Sequence, residues 1–521
     1  MKTTTLLLIC LAFLGCAKTS QKPEETTQEN RPNIVLIMGD DIGFSDISCY
    51  GGEIPTPNLD QLASQGIRFS QFYNMAKCET TRTVMHTGLY QGNDQAINFA
   101  QLLRDAGYYT AQSGKEHFKN WVPEHCYAKN VMDQSFTFWA TNEFFIPPGG
   151  EFERPFILNG DTLKASEIPF KGKEFYKTDV ITDYAIKYLE EAKQKEKPFL
   201  LYLPYHAAHY PLQAPEEEIA KFRGKYKKGW DKIRKERFER IKTLGLIPEQ
   251  ARLSPPEGNI NKFRGHKKDN LEIRGKIPLY RPWETLSEEE QDELDLEMSV
   301  FAAMVHRMDK NIGRVIQWLE ENDKRENTLI LYLSDNGSCP YDSNKDFDHP
   351  PGTPDSYRTL SAAWANAGNT PFRYFKQYGH EGGSHTHLIA NWPSVIKEKG
   401  VISDQPGHLV DFYPTFLEAA GVQYPENYKG KSTLPLHGTS LMPIFKGETR
   451  TPPKQIISGF TERFRMYRKG DWKIVNLNGE GWELYHLAKD PTELNNLAPT
   501  NPEKLKELLE SYEAWKLEVE S

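Results

Sequence analysis

The 521-residue chain has little of three things, and each shortage excludes a class of protein. Past its first residues it holds no apolar run long enough to cross a bilayer, so no internal membrane span is expected. Six cysteines in a chain of this length cannot make a disulfide scaffold. A formal net charge of -8 leaves no basic excess, which excludes a dedicated nucleic-acid binder. What is present is a hydrophobic fraction of 38%, with 12% aromatic residues, enough for a sizeable core. The length predicts a large domain followed by a smaller one.

The N-terminus reads as an export signal. Lys2 precedes an apolar run from Leu6 to Leu14, followed by Gly15 and Cys16. A cysteine directly after a short apolar segment is similar to a bacterial lipoprotein signal. The expectation is lipidation of Cys16 and anchoring in the cell envelope (periplasm or outer membrane), with simple secretion as the alternative. Residues 17–30 are polar and rich in Thr, Glu and Gln, the composition of a flexible tether. Beyond Cys10 and Cys16 remain Cys49, Cys78, Cys126 and Cys339; if Cys78 is used in chemistry, at least one of the others stays unpaired.

Two acidic pairs follow apolar runs. Ile34 to Met38 is continuous and β-branched, the pattern of a strand buried on both faces of a parallel sheet, and Asp40-Asp41 follow it. Leu329 to Leu333 repeats the pattern before Asp335-Asn336. Open α/β sheets place ligands beyond the C-terminal ends of such strands. Adjacent carboxylates repel unless a cation lies between them, and an all-oxygen set suits Ca²⁺ or Mg²⁺ rather than zinc. Each pair alone would pass for a solvated loop; two, far apart in sequence, are harder to dismiss.

The segment Cys78 to Gly88 predicts a short helix with Cys78 at its N-terminus and a stop at Gly88. Arg82, at i+4, returns to the face of Cys78. A nucleophile and a guanidinium fork at a positive helix end form a site for a tetrahedral oxyanion. Further on, Lys115 and His117 alternate by two after a predicted strand at Tyr108–Gln112, so an extended chain points both one way. The loop Pro204 to Leu212 carries His206 and His209, either suited to proton transfer. Other expected elements are helices from Pro57, at Phe99–Leu103, Thr178–Lys193, Ser287–Asn322 and Asp411–Ala420, and one from Pro502. Residues 221–242 read as an amphipathic helix with a solvated basic face, a possible guide for an anionic polysaccharide.

These motifs resemble the type I, formylglycine-dependent sulfatases of the alkaline-phosphatase superfamily. Cys78, Arg82, Thr87 and Gly88 match the activation motif Cys-x-Pro-Ser-Arg-x-x-x-x-Thr-Gly, while Thr80 and Thr81 replace its proline and serine. Lys115 and His117 match Gly-Lys-Trp-His, with Glu116 in place of the aromatic. The Ala-Pro-His-aromatic-Pro-Leu motif singles out His209, and Lys376 stands where the family has a catalytic lysine before Glu-Gly-Gly.

The resemblance implies a large mixed, mostly parallel α/β sheet flanked by helices over residues 31–450. A small C-terminal antiparallel sheet with a helix would follow over 451–521. It implies that a formylglycine-generating or radical maturase converts Cys78 to formylglycine. It further implies one Ca²⁺, less readily Mg²⁺, on Asp40, Asp41, Asp335 and Asn336. Arg82, Lys115 and Lys376 would neutralise sulfate, His209 or Lys376 would protonate the leaving oxygen, and His117 would accept a proton from the diol. His380 is assigned to substrate contact, and export favours sulfated carbohydrate as the substrate. The alternatives are a phosphomonoester or phosphonate hydrolase of the same superfamily, or an unmatured, non-catalytic protein that binds sulfated glycans.

Overall fold

The computed structural model describes residues 31–91, 96–118, 130–152, 154–168, 174–256, 281–341, 348–460 and 464–520. The leader, the tether and Cys126 lie outside the described residues. One sheet contains β1 (Asn33–Gly39), β2 (Ile67–Tyr73), β3 (Tyr109–Lys115), β4 (Gln134–Phe138), β5 (Phe156–Leu158), β6 (Asp161–Leu163), β7 (Phe199–Pro204), β8 (Thr328–Ser334), β9 (His385–Asn391), β10 (Val401–Ser403) and β11 (Gly407–His408). Its order is β10-β2-β9-β8-β1-β7-β3-β4-β5-β6, with β11 beside β2. The centre, β8-β1-β7-β3-β4, is parallel; β9 runs antiparallel between β8 and β2, and β5 and β6 are antiparallel at the far edge.

Strands buried on both faces must be covered on both, and β1 shows how. Val35 and Ile37 pack under α4 (Lys177–Gln194), α5 (Trp230–Thr243) and α6 (Glu288–Glu321). Ile34, Leu36 and Met38 face α2 (Cys78–Thr87), α3 (Phe99–Asp105), α7 (Phe412–Ala420) and α8 (Pro502–Glu520). Helix α1 (Pro57–Ser64) lies on the α6 side. The long α6 starts at a capping box: Ser287 Oγ accepts from Glu290 N, and Glu290 Oε2 accepts from Ser287 N.

The basic helix differs from expectation. It begins at Trp230 rather than near 221, because Gly224 and Gly229 both take φ +81°, outside helical geometry. Two of its arginines turn inward as well. Arg234 and Arg237 are buried, and Arg237 pairs with Asp46 and Glu53. Its basic face is therefore only partly solvated.

A short hairpin, β12 (Asn427–Tyr428) and β13 (Lys431–Ser432), precedes a four-stranded antiparallel sheet of β14 (Ile456–Phe460), β15 (Phe464–Lys469), β16 (Trp472–Leu477) and β17 (Trp482–His486). This sheet is bolted to the large one by a buried ionic knot. Lys473 of β16 donates to Glu381 Oε1 at 2.6 Å and forms an ion pair with Glu493. Glu381 Oε2 accepts from Tyr73 of β2 at 2.8 Å and lies 2.8 Å from His385 Nδ1 of β9. Burial would raise the Glu381 pKa, but Lys473 outweighs it and holds the carboxyl well below its ordinary range.

Removing one partner of a buried pair leaves the other charged and desolvated. Lys473→Ala is expected to cost on the order of 3 kcal/mol or more. Thermal unfolding followed by circular dichroism should show a midpoint several degrees lower, with exposed Lys469→Ala close to the parent protein.

Candidate active site

Strand register assembles the site. Gly39 of β1 pairs with Ser334 of β8, so Asp40-Asp41 and Asp335-Asn336 leave the sheet side by side. Met38 pairs with Pro204 of β7, which brings the His206–His209 loop alongside. Gln112 pairs with Tyr202, so β3 delivers Lys115 from the next strand over. Backbone bonds tie the strand ends: Asp335 N to Gly39 O, Asp40 N to Ala207 O and Tyr205 N to Met38 O.

Helix α2 enters from the edge of this cluster. Cys78 is its first residue, buried, and Gly88 ends it at φ 69°, returning its N–H to Val84 O. The first intrahelical bond is from Thr81 N to Lys77 O, so the N–H at position 80 belongs to the unpaired first turn. A proline there removes no helical bond. Thr81 Oγ1 accepts from Met75 N at 3.0 Å and donates to Asp335 O at 2.7 Å, joining the cysteine helix to the metal-side loop. Arg82 donates to Asp335 Oδ2 through Nε at 3.2 Å and Nη2 at 2.8 Å. Its Nη1 donates to Lys115 O and Tyr202 Oη, each at 3.2 Å, and its Nη2 lies 3.9 Å from Asp40.

Each remaining carboxylate has its own cation. Lys115 Nζ is 2.5 Å from Asp40 Oδ2, and Lys376 Nζ is 2.5 Å from Asp41 Oδ1. Asn336 Nδ2 donates to Asp41 Oδ1 at 2.7 Å. Asp40 Oδ1, Asp41 Oδ2 and Asn336 Oδ1 are buried with no hydrogen-bond partner among the described residues. Burial, then the Asp40 carboxylate, pushes Asp335 up to about 7. Orphaned hard oxygens in an acid-rich pocket suit a Ca²⁺ or Mg²⁺ ion.

His209 belongs to the same cluster: Asp40, Asp41 and His209 each present a ligand atom within 4.8 Å of the others. Its Nδ1 donates to Tyr210 O at 2.8 Å, leaving Nε2 3.5 Å from Asp41 Oδ2. Burial, then Lys115, lowers its pKa well below the ordinary histidine value. Strand β3 runs to Lys115 rather than stopping at Gln112, and His117 then sits at φ 45° instead of continuing extended. It still reaches the site, since Lys115, Arg82, Lys376 and His209 all act on it after burial in lowering its pKa. Glu116, where the family has an aromatic, is buried and accepts from Thr137. Burial raises the Cys78 thiol despite Lys376 and Lys115.

The turn carrying Lys376 hangs from the C-terminal sheet. Glu381 N donates to Glu493, and Arg373 donates to Glu493 O and Tyr485 Oη. A side chain on Gly382 or Gly383 would stand 2.2 Å from backbone carbonyls. Gln377 N, next to the lysine, donates to Ala76 O just before Cys78. His380 joins this junction rather than the acidic cluster: it is buried, with Nε2 2.7 Å from Glu483 Oε2.

One residue escaped the sequence argument and another was set aside in it. Lys177, the first residue of α4, is buried beneath the histidine loop; it donates to Asn142 O at 2.5 Å and lies 2.7 Å from His206 Nδ1. His206, set aside in favour of His209, stacks between Phe144 and His209. The available signal was Lys177 on the apolar side of its helix. Cys49 and Cys78 are free thiols.

Acids at the strand ends, a cysteine at a helix N-terminus and three cations around them make a site suited to hydrolysis of an anionic ester. The sulfatase family model matches residues 32–422, and a model of the N-sulphoglucosamine sulphohydrolase C-terminal region matches 371–515. The chain belongs to the sulfatase family and is a sulfuric ester hydrolase. It is 32% identical to an uncharacterized sulfatase of Schizosaccharomyces pombe over 94% of both chains. An arylsulfatase of Klebsiella aerogenes is 30% identical over 81% of this chain and 94% of its own. An N-acetylglucosamine-6-O-sulfatase of Bacteroides thetaiotaomicron is 27% identical, covering 97% and 90%. Among solved structures, a complex with the substrate D-glucosamine-2-N,6-O-disulfate superposes with TM-score 0.63 at 23% identity, covering 94% and 98%. The phosphonate monoester hydrolase of Agrobacterium radiobacter shares the fold at TM-score 0.58 and 19% identity, covering 94% and 96%.

Thr81 tests the local geometry. Thr81→Val keeps the shape but strands the Met75 N–H and the Asp335 carbonyl, costing about 1–3 kcal/mol. Thr81→Ser keeps both bonds. Scanning calorimetry should rank the valine variant clearly lowest.

Proposed function

We propose that the protein hydrolyses sulfate monoesters on carbohydrate, using residue 78 after its oxidation to formylglycine and one Ca²⁺. The observation that carries this reading is the set of unpartnered buried oxygens on Asp40, Asp41 and Asn336, walled by Arg82, Lys115 and Lys376 next to residue 78. Asp40, Asp41, Asp335 and Asn336 would hold the ion, which when bound polarises the sulfate and favours an anionic nucleophile. The hydrated aldehyde of residue 78 supplies the attacking oxygen.

The chain's own residues do the rest. Arg82, Lys115 and Lys376 neutralise the sulfate oxygens as charge shifts to the leaving group. Of the two candidate acids, Lys376 is the better placed to hold a proton. Burial would lower its pKa, but Asp41 together with Cys78, Cys339 and Asp40 outweighs that and raises it well above the ordinary value, while burial and Lys115 keep His209 neutral. His117, neutral for the same reasons, accepts the proton from the second hydroxyl of residue 78. Similarity to the N-acetylglucosamine-6-O-sulfatase supports a sulfated sugar as the alcohol. The leader supports export with a lipid anchor at Cys16, and a maturing enzyme is the partner that residue 78 requires.

The decisive experiment is peptide mass spectrometry across residue 78 on protein co-expressed with a maturase, with assays of 4-nitrophenyl sulfate and phosphate. Formylglycine, with sulfate turnover above phosphate turnover, is the expected result. Thr80→Pro should raise the converted fraction at little cost in stability, because the backbone N–H of residue 80 makes no helical hydrogen bond and only the Thr80 hydroxyl's bond to Lys77 O is lost. A persistent thiol in both forms, with glycan binding and no turnover, would leave a binding protein; preference for phosphate would make it a phosphoester hydrolase.

Ca²⁺ binding is read without activity. Chelator-stripped protein should gain about 2.7 kcal/mol of stability at a hundredfold excess of Ca²⁺ over Kd. In a thermal-shift titration Asp335→Asn should lose most of that response.

A further inference from the structure

On the flank of the pocket lies a cation that the sulfate chemistry does not use. Trp139 follows β4 directly and packs edge-on against His117, ring centroids 5.9 Å apart. The Arg154 guanidinium sits over the same indole, 4.5 Å from its centroid. Both side chains are half-buried, as is His117, so one indole ring separates a partly accessible guanidinium from a catalytic histidine.

The backbone under Arg154 is held as well. Its carbonyl accepts from Asn142 Nδ2 at 2.8 Å, and the Asn142 carbonyl accepts from Lys177, which lies against His206 beneath the proton-transfer loop. Among the described residues no ion pair to Arg154 is present, and its side-chain contact is the stack on Trp139. A guanidinium stacked on an aromatic ring loses little further freedom when it binds, and its remaining N–H groups fit a planar carboxylate or a sulfate in fork geometry.

Resting on the sulfatase reading of the pocket, we infer that Arg154, braced on Trp139 beside His117, binds a second negative group on the substrate's leaving alcohol. That group is a carboxylate or a further sulfate, so the site selects esters carrying two anions over those carrying one. A single-anion substrate would leave the guanidinium stacked on Trp139 without an anion from the substrate.

The test avoids any choice of sugar. Matured protein is assayed on 4-nitrophenyl sulfate and on the 2-, 3- and 4-carboxyphenyl sulfates, and kcat/KM for the best carboxyphenyl ester is divided by that for the nitrophenyl ester. Arg154→Met, which keeps the aliphatic packing on the indole, should lower this ratio about tenfold, and Arg154→Lys less. The wild-type ratio should fall with added NaCl, the Arg154→Met ratio hardly at all. An unchanged ratio, or an equal loss on every ester, would overturn the proposal. If matured wild type turns over no ester, the sulfatase reading fails separately. Calorimetric binding of the same esters to Cys78→Ala protein, with and without Arg154→Met, then reads the same ratio.

Discussion

Everything in this molecule is arranged around a charge problem at the end of a parallel sheet. Asp40, Asp41 and Asp335 are all buried, and so are Arg82, Lys115 and Lys376, which pair with them. Two like charges 4 Å apart cost about 4 kcal/mol even at an effective dielectric constant of 20. The carboxylates can therefore stay ionised only where cations are held among them. Three acids against three cations make the cluster neutral, yet oxygens on Asp40, Asp41 and Asn336 remain without donors. Room for a divalent ion and an anionic ester follows from that count.

The cost of keeping these charges is met by the scaffold. Parallel strands buried on both faces hold the loops at fixed spacing, and the β1–β8 register alone aligns the two acidic pairs. Lys376 cannot come from this frame, because its turn lies between strands. The C-terminal sheet supplies the missing rigidity through Lys473, Glu381 and Glu493. The C-terminal family model, starting at residue 371, takes in that turn as well. The small sheet and the Lys376 turn form one mechanical unit, although Lys473 of β16 lies 97 positions beyond Lys376 in the chain.

The sequence displayed most of the candidate site because its motifs are local. Each acidic pair adjoins the apolar run that becomes its strand, and Cys78 with Arg82 needs only helical spacing. The basic stretch misled because residue composition cannot separate a solvated arginine from one clasped by Asp46 and Glu53. The contact of His380 was hidden for a similar reason: its partner Glu483 lies 103 residues away.

By itself the sequence determined β1, β8 and the start of β3, the helix that begins at residue 78 and the acids that follow β1 and β8, since periodicity and short motifs encode these directly. Only the tertiary structure decided that His209 shares a cluster with Asp40 and Asp41, that Lys177 lies beneath the histidine loop, and that Arg154 stands one ring from His117. Such contacts join side chains from separate strands and loops. Their meeting depends on sheet order and register, which no local stretch of sequence carries.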